Sequence, residues 1–356
     1  MAALLSALGL LALVFIAWLT FDGVRAIWCR WQAEQLGQPL RLRVARRDNV
    51  AGELMVLRLT PARGWRLPAF RAGQHVVLEA PAGPQGKVVR RAYSLAAWHN
   101  RPRHYELGIK REPGGAMSTW LWEHLRTGDR LTVSRPKGHF TLVNRAGGGL
   151  QVLIGGGIGI TPMRAMLHEA LHAGQSVHLF HAARTRGQLL YQAEFEQLAS
   201  THPNFAYTPA LTRPEASWTG LSGRLDAECI LATLREARAD VRAADFYMCA
   251  SNEMMAALQD GLVAQGVAAD RVHLEAFGAA QNTDTQAYDI TLHPSGQVLT
   301  FQGQPSLLVM LQEAGTGIDS DCRNGTCGAC KVRCVTGEVR TVIQPEWTVT
   351  GREVLA

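Results

Sequence analysis

The alternation of apolar and polar positions changes along the chain and predicts regions of different construction. Between residues 40 and 145, short alternating runs are separated by Pro and Gly turns. Short strands at this spacing are typical of a small antiparallel barrel. The predicted strands are Leu54–Leu59, Gln74–Leu78, Val88–Leu95, Tyr105–Ile109 and Arg130–Val133.

The pattern from residue 148 to residue 280 instead alternates apolar strands with helical segments. An apolar strand at Leu150–Ile154 enters a Gly-rich turn, and the amphipathic helix after this turn ends at Gly174. Further strands are expected at Val177–Phe180 and Phe246–Met248. This alternation predicts a parallel sheet with crossover helices.

A polar linker at residues 281–287 separates this region from a third one at residues 288–356. The third region begins with a predicted hairpin around Ser295 and Gly296. A short helix near Leu307–Ala314 and a cysteine-rich loop follow.

The N-terminal segment, residues 1–24, is predicted to be a transmembrane anchor, with a linker at residues 25–39. The run from Ala2 to Phe21 contains no charged residue, and about 20 helical residues span the roughly 30 Å hydrocarbon core of a bilayer. A cleaved signal peptide is one alternative, but no basic residue precedes the run and no A-x-A cleavage site follows it. A soluble amphipathic helix is the other.

Arginines are placed after the apolar run, beginning with Arg25. By the positive-inside rule, that side of an anchor stays in the cytoplasm. We therefore expect a single-pass protein of the inner (cytoplasmic) membrane, with its catalytic domains in the cytoplasm.

Charge and cysteine content narrow the possible functions. The net charge is +6 and the arginines are scattered, so no nucleic-acid partner is expected. A basic balance suits an acidic redox partner or a membrane surface better. The seven cysteines are odd in number, and four of them lie within residues 322–334. This clustering indicates metal binding in a reducing compartment, not a secreted disulfide scaffold.

The strongest motif is the cysteine spacing C-x4-C-x2-C formed by Cys322, Cys327 and Cys330. This is the spacing of the plant-type [2Fe–2S] loop, in which closely spaced thiolates bind one edge of the cluster. A zinc site is the alternative, but zinc sites usually combine two well-separated C-x2-C pairs, and the sequence has only the pair Cys327 and Cys330.

Two further motifs suit a flavin. In the tetrapeptide Arg-Ala-Tyr-Ser at residues 91–94, an aromatic ring can cover an isoalloxazine, a hydroxyl can bind its reactive N5 edge, and a guanidinium can pair with a phosphate. The segment Gly114-Gly115-Ala116-Met117-Ser118 precedes an apolar helix. Its free N–H groups and the helix dipole make a phosphate site. An ordinary strand and a Ser-capped turn are the structural alternatives.

A dinucleotide-binding turn follows the first strand of the α/β region. The segment Gly155-Gly156-Gly157-Ile158-Gly159-Ile160-Thr161-Pro162 lies between a strand and a helix, as such a turn requires, although its spacing is not the strict G-x-G-x-x-G.

Together these motifs resemble the ferredoxin–NAD(P) reductase superfamily, in the three-module form with a C-terminal plant-type ferredoxin domain. The resemblance covers residues 40–356 and implies a flavin-binding antiparallel β-barrel at 40–145. It further implies an NAD(P)-binding α/β domain with a parallel sheet at 148–280 and a β-grasp ferredoxin-like domain at 288–356. With the predicted transmembrane helix, the expected fold is therefore multidomain.

The resemblance assigns site residues. Ser94, Cys249 and Glu275 are the expected catalytic residues, and Cys249 opens the family's second nicotinamide element, Cys249-Ala250-Ser251. A buried structural cysteine is the alternative there. Cysteines 322, 327 and 330 are the expected cluster ligands. The expected cofactor-binding residues are Arg91, Tyr93, Ser94, Gly114, Gly115, Ser118, Gly155, Gly156, Gly157, Gly159, Thr161, Pro162, Arg184, Arg186 and Phe277.

The expected cofactors are FAD, with FMN as the lesser alternative, NADPH or NADH, and a [2Fe–2S] cluster. After the strand at Val177–Phe180, the next acidic residue is Glu194, whereas Arg184 and Arg186 could neutralise a 2′-phosphate. This arrangement favours NADPH slightly.

The resemblance implies electron transfer from NAD(P)H through flavin and cluster to an acceptor protein. The anchor favours an integral-membrane acceptor such as a desaturase or hydroxylase, and a soluble oxygenase or hybrid-cluster protein is the alternative. A flavin diaphorase with a vestigial cluster domain is the competing function.

The fourth cluster ligand is not evident in the sequence. Cys334 lies close behind Cys330, too close to reach the far iron, and the final residues 353–356 resemble the segment before the fourth cysteine of the family. We therefore expect this ligand to follow directly after the given sequence. A degenerate cluster is the alternative.

One motif points elsewhere. His168, Glu169 and His172 form an H-E-x-x-H pattern, the signature of zinc metalloproteases. They lie on the helix after the Gly-rich turn, whose apolar face must pack on the sheet, so nothing is expected to wall a zinc cleft. The protease interpretation is therefore rejected.

Overall fold

The first module is a six-stranded sheet whose strand pairings are antiparallel. A computed structural model describes residues 38–62, 66–145, 149–277, 286–293, 295–304, 306–318, 320, 330–337 and 353–355. The sheet order is β4-β3-β6-β1-β2-β5, and a bridge between Leu95 and Leu107 links its two edges. The strands are β1 (Leu40–Val50), β2 (Leu54–Pro61), β3 (His75–Ala80), β4 (Val89–Ser94), β5 (Tyr105–Lys110) and β6 (Arg130–Val133), with helix α1 (Ala116–His124) before β6.

The long strand β1 was not separately predicted, because its many arginines obscure the alternation. Its inward residues, such as Leu42 and Val44, are nevertheless fully buried. The polar residues between them face outward, which is the alternation of a half-buried strand.

The second module is a parallel sheet with crossover helices, as predicted, and the structure shows helices on both of its faces. Its order is β10-β9-β8-β7-β11-β12. The strands are β7 (Gln151–Gly156), β8 (Val177–Ala183), β9 (Phe205–Leu211), β10 (Leu221–Ser222), β11 (Asp245–Cys249) and β12 (Val272–Leu274). The helices are α2 (Ile160–His172), α3 (Gln192–Thr201), α4 (Ala227–Glu236) and α5 (Asn252–Ala264).

The central strand β7 buries both of its faces. Val152 and Ile154 pack with α4 and α5, whereas Leu153 packs on the opposite face with α2 and α3. The chain leaves β7 toward β8 on one side and later returns to β11 on the other. Open parallel sheets bind ligands at such a switch point, at the carboxyl ends of the strands.

The third module is small. The hairpin of β13 (Tyr288–Thr291) and β14 (Val298–Phe301) packs with α6 (Leu307–Glu313) around Phe301, Met310 and Leu311. A second pair joins β15 (Lys331–Arg333) to β16 (Glu353–Leu355) in antiparallel register.

The predicted transmembrane element is not part of this fold. Among the described residues, none of the helices is long and apolar enough to cross a bilayer. The longest described helices, α2 and α5, have 13 residues, or about 20 Å against the roughly 30 Å that a bilayer core requires. The prediction of a membrane-spanning helix is therefore corrected, and the inner-membrane localisation and membrane contact that depended on it are withdrawn. The segment assigned to the anchor, residues 1–24, lies outside the described residues.

Candidate flavin and nicotinamide site

The Gly-rich turn connects β7 to α2 at the switch point of the parallel sheet. A Cβ on Gly159 would lie 1.9 Å from the Cys249 carbonyl oxygen, so only glycine allows the turn to approach β11 this closely. Gly157 has a φ of +56°, and no atom lies within 4 Å of where its Cβ would be. A Cβ on Gly155 would come within 2.9 Å of Ile160, and one on Gly156 within 2.7 Å of Ala250. The glycines therefore bring the backbone of β7, α2 and β11 together and leave open space above Gly157.

The first turn of α2 is buried. Thr161 is 1% exposed and its hydroxyl donates to the Ile158 carbonyl at 2.9 Å, while Pro162 is buried beside it. The Thr-Pro pair thus closes the turn internally. Proline is favourable here because the first helical N–H groups have no partner within the helix.

The open space belongs to a cavity of about 750 Å³ at the carboxyl ends of the parallel strands. The barrel contributes to its walls as well as the sheet. The lining includes Glu53, Leu54, Lys110, Glu112, Gly156, Gly157, Ile158, Gly159, Ala182, Ala183, Arg184, Gln188, Thr212, Arg224, Leu225, Ala250, Ser251, Glu253, Met254, Ala257 and Phe277. Its size and its glycine edge fit an extended phosphate-bearing ligand such as a dinucleotide.

The three predicted catalytic residues come together from two modules. The Ser94 hydroxyl, at the end of β4, donates to Glu275 Oε2 at 3.1 Å, and both residues are buried. Glu275 follows β12 and its N–H donates to the Met248 carbonyl, one residue before Cys249. Burial, together with the charge of Glu275, raises the pKa of the Cys249 thiol well above its usual value. This thiol is therefore neutral.

Tyr93 and Arg91 lie on β4 beside Ser94. Burial raises the pKa of the Tyr93 hydroxyl, and the charge of Arg91 opposes this shift. Both side chains are partly exposed. Arg91 and Tyr93, two positions apart on the strand, therefore present a cation and an aromatic ring on the same face of β4.

The predicted phosphate turn precedes α1, which packs near β4. Gly114 has a φ of +73° with open space beside it, and Gly115 is the N-cap residue, without a side-chain cap. The Ser118 hydroxyl is used within the turn, since it accepts from the Glu112 N–H at 3.1 Å and lies 3.2 Å from the Gly115 carbonyl. The uncapped N–H groups and the helix dipole suit a pyrophosphate. The residues on β4 and α1 thus fit FAD.

The two arginines that favoured NADPH are both paired. Arg184 lines the cavity, and its Nη2 lies 3.0 Å from Glu53 Oε1 of the barrel. Arg186 lies outside that cavity wall and its Nη1 is 3.5 Å from Glu215 Oε1, with both side chains more than half exposed. The predicted Phe277 lines the cavity with 39% of its surface exposed.

A buried ion network joins the barrel to the parallel-sheet module. Arg164 of α2 pairs with Glu106 of β5 at 3.0 Å and with Glu194 of α3 at 2.8 Å. Its guanidinium also lies 4.3 Å from the ring centroid of Tyr191. A Cβ on Gly108 would lie 2.4 Å from Thr161 Cγ2, so β5 packs directly on the Gly-rich turn.

The H-E-x-x-H residues belong to this same junction. His168 Nε2 is 2.7 Å from Glu194 Oε1, Glu169 Oε2 accepts from the Ala72 N–H at 3.0 Å, and the His172 ring packs 5.3 Å from that of Trp98. Within the described part of the chain no group of three or more His, Cys, Asp and Glu side chains is arranged to hold a metal. The helix face that carries Glu169 and His172 contacts the barrel at Ala72 and Trp98.

The cluster motif is described in part. Cys330 is 3% exposed and directly precedes β15, whereas Cys322 and Cys327 lie outside the described residues. Cys334 is partly exposed and its Sγ lies 3.2 Å from the Thr336 carbonyl oxygen. The two neighbouring cysteines therefore lie in different surroundings.

Reasoning from the sequence missed several cavity residues. Glu53 lies in the turn between β1 and β2, 131 positions from Arg184, and no local pattern connects them. Thr212 and Arg224 follow β9 and β10, two strands that were not predicted. Placing those strands would have shown that their carboxyl ends reach the cavity.

Three family models match the chain in the order of its modules. They are the oxidoreductase FAD-binding domain over residues 41–142, the oxidoreductase NAD-binding domain over 153–260 and the 2Fe-2S iron-sulfur cluster binding domain over 290–355.

Relatives with known names span most of the chain. This chain is 34% identical over 278 residues to the heme-dependent oxidative N-demethylase beta subunit of Ectopseudomonas mendocina (strain ymp). The aligned residues make up 77% of this chain and 80% of that protein. It is also 30% identical over 296 residues to the vanillate O-demethylase oxidoreductase of Pseudomonas sp. (strain HR199 / DSM 7063), and the aligned residues make up 81% of this chain and 86% of that protein. Among solved structures, phthalate dioxygenase reductase matches with a TM-score of 0.60 and 26% identity, over 86% of this chain and 90% of that one.

These matches confirm the cofactors and the activity expected from the motifs. The protein is an NAD(P)H-dependent oxidoreductase that uses FAD and a [2Fe–2S] cluster and passes electrons from NAD(P)H to an acceptor protein. The chain belongs to the ferredoxin–NAD(P) reductase superfamily, in its three-module form with a C-terminal plant-type [2Fe–2S] ferredoxin domain.

Proposed function

We propose that this protein is the reductase component of an oxygenase system and that its acceptor is the terminal oxygenase component. The observation that carries the site assignment is the hydrogen bond between Ser94 and Glu275 beside Cys249. The partner assignment is supported by the relatives, which are named as parts of demethylase and dioxygenase systems.

A bound flavin would supply the conversion of a hydride, a two-electron donor, into single electrons that an iron–sulfur cluster can accept. The protein's part is to hold and orient the two reactants. Arg91, Tyr93 and the uncapped N-terminus of α1 would hold the FAD. The Gly155–Gly159 turn would hold the nucleotide phosphates above Gly157.

Ser94 would fix the reactive edge of the flavin. A hydroxyl has one donor and two acceptor positions, so Ser94 Oγ can donate to Glu275 and still accept a hydrogen bond from a ring N–H. Ser94 and Glu275 would then form a two-residue path that ends at Glu275 Oε2, and a proton could reach or leave the reactive edge of the flavin along this path. Because both residues are buried, bulk water does not compete for these hydrogen bonds.

Cys249 and Phe277 would shape the nicotinamide subsite. The Cys249 thiol is fully buried and neutral, so it would add no charge behind the cavity wall that the next two residues, Ala250 and Ser251, form. Phe277 would cover the cavity mouth with its partly exposed ring. Together they would keep water from the position of hydride transfer.

The cluster route is tested by a matched pair of cysteine variants, C330A and C334A. Loss of the proposed ligand Cys330 should abolish the [2Fe–2S] spectrum and electron delivery to an oxygenase component. NADH oxidation with ferricyanide, which takes electrons from the flavin, should continue. C334A should keep both activities and the cluster.

Three results would contradict this proposal. Electron delivery by C330A at the wild-type rate would remove the cluster from the route. Absence of iron and acid-labile sulfide from the wild type after anaerobic reconstitution would leave a flavin diaphorase. A reduced wild-type protein that transfers nothing to any oxygenase component, yet reduces another class of acceptor, would overturn the partner.

A further inference from the structure

We infer that Glu53, a residue of the flavin barrel, makes this protein select NADH over NADPH. The inference rests on the proposed binding of the nucleotide in the cavity above Gly157. The reason for a slight preference for NADPH was the charge of Arg184 and Arg186, and in the folded protein each of these arginines is paired with a carboxylate.

The nucleotide-binding module lacks its own acid where one is expected. In a dinucleotide fold, an Asp or Glu near the end of the second strand accepts a hydrogen bond from the ribose 2′-hydroxyl. Here that strand is β8, and the residues at its end are Ala182, Ala183 and Arg184, all in the cavity wall. The next acid along the chain, Glu194, is bound to Arg164 and His168 at the module junction.

Glu53 supplies a carboxylate at this place from the other module. Its Oε1 accepts from Arg184 Nη2 at 3.0 Å and from Gln188 Nε2 at 2.6 Å. Its Oε2 has no hydrogen bond to any residue that the structure describes, and the side chain is 33% exposed at the cavity wall. One oxygen therefore anchors the carboxylate, and the other remains able to accept from a ribose hydroxyl.

The Glu53 carboxylate disfavours a phosphate beside Arg184. A 2′-phosphate placed beside Arg184 would meet the Glu53 carboxylate, and like charges at such distances repel. Lys110 is also paired, with Glu112 at 2.9 Å. Arg224 lines the cavity after β10, two strands away from β8, and makes no ion pair within the described residues. Arg184 itself, at the β8 end, is thus neutralised by Glu53, whereas Arg213, whose N–H donates to the Arg184 carbonyl at 2.8 Å, makes no ion pair within the described residues.

The test compares wild type with E53Q, E215Q and the double variant E53Q/R184Q, all loaded with FAD. Glutamine at position 53 can still accept from Arg184 and Gln188 but carries no charge, so the loop geometry is kept. E215Q is the matched control, because it removes the carboxylate beside Arg186 outside the cavity wall. The measurements are kcat/KM for NADH and NADPH with ferricyanide, and the Kd of 2′,5′-ADP and of 5′-AMP by calorimetry.

We expect wild type to prefer NADH. E53Q should raise kcat/KM for NADPH and lower the Kd of 2′,5′-ADP by roughly tenfold each. This is the effect expected of one charge-assisted hydrogen bond between Arg184 and the 2′-phosphate. The gain in kcat/KM for NADPH and in affinity for 2′,5′-ADP should vanish in E53Q/R184Q. E215Q should leave the ratio of kcat/KM for NADH to kcat/KM for NADPH unchanged.

Three outcomes would overturn the inference. They are a wild type that prefers NADPH, an E53Q variant whose ratio of kcat/KM for NADPH to kcat/KM for NADH is unchanged, and a gain that survives in E53Q/R184Q and therefore belongs to another cation such as Arg213 or Arg224. If neither nucleotide reduces the flavin of the wild type, the proposed function itself fails, which is a distinct result.

Discussion

The Ser94 hydroxyl donates a 3.1 Å hydrogen bond to Glu275 Oε2 across 181 positions of sequence. One residue ends a strand of the barrel and the other follows the last strand of the parallel sheet. The bond forms only when both modules are folded and docked. The proposed flavin edge is therefore built at their junction.

Replacement of Ser94 by Ala should slow reduction of the bound flavin by NADH by roughly a hundredfold, the usual effect of removing one oriented polar group from a reaction site. Stopped-flow bleaching of the flavin absorbance under anaerobic conditions measures this step directly. S134A is the control, because the Ser134 hydroxyl is also hydrogen-bonded in the barrel, to Val77 N and Arg135 O at 2.8 Å. Equal rates in S94A and S134A would remove Ser94 from the reacting site.

Gly157 and Gly174 provide a matched pair for the phosphate turn. Both have positive φ, +56° and +71°, and at neither would a Cβ meet an atom within 4 Å. Each Gly→Ala change should therefore cost about 1 kcal/mol of stability through backbone strain alone. Gly157 also lines the cavity, so G157A should in addition weaken nucleotide binding by at least about tenfold, or 1.4 kcal/mol.

Calorimetric titration with 5′-AMP and NADH, alongside denaturant unfolding, separates the two effects in these variants. If G157A binds nucleotide as tightly as G174A does, the Gly-rich turn is not the binding site of the nucleotide phosphates.

Patterns within one element were sufficient to predict much of this architecture. The strand Arg130–Val133 and the helix after the Gly-rich turn follow from local periodicity, because each buries one regular set of apolar residues. The grouping of Ser94, Cys249 and Glu275 came from the family resemblance, and the structure brings these three residues together.

What could not be predicted depends on contacts between modules. Glu53 looks like an ordinary turn residue beside Gly52, and its role appears only when the barrel meets the end of β8. His168 and His172 match the zinc ligands of an H-E-x-x-H pattern, and only the structure shows their actual neighbours, Glu194 and Trp98. Sequence separation conceals such pairs, since periodicity reports only whether a residue is buried and not what it contacts.

Arg164 should be the strongest electrostatic link between the modules. Its side chain is 14% exposed and it pairs with Glu106, whose side chain is 5% exposed. R164M would leave that carboxylate buried with one partner fewer, which costs about 3–5 kcal/mol. Arg46 pairs with Asp48, and their side chains are 64% and 40% exposed. The same substitution at Arg46 should therefore cost less than about 1 kcal/mol of stability. Urea unfolding of both variants makes the comparison, and a small loss in R164M would show that packing alone joins the modules.

Two buried histidines on β8 should make the protein sensitive to acid. Burial lowers the pKa of His178 to about 4 and that of His181 to about 3, against about 6.5 in an unfolded chain. Between these values the unfolded state binds protons that the folded state does not. The free energy of unfolding must therefore fall as the pH drops below about 6.5, and the loss continues until the folded pKa is reached.

His178 allows this effect to be isolated. Its Nε2 lies 2.8 Å from Thr208 Oγ1 and its ring stacks on Phe180 at 4.4 Å. H178Q should lose about 1 kcal/mol at pH 7.5 through the lost stacking. At pH 5 wild type should have lost about 2 kcal/mol through this one histidine, a loss that the variant, having no proton to bind there, avoids. Denaturant unfolding at both pH values should therefore show a smaller decrease in the free energy of unfolding between pH 7.5 and pH 5 for H178Q than for wild type. Parallel curves for the two proteins would mean that His178 is protonated in the fold, and the acid sensitivity would then have to come from other groups.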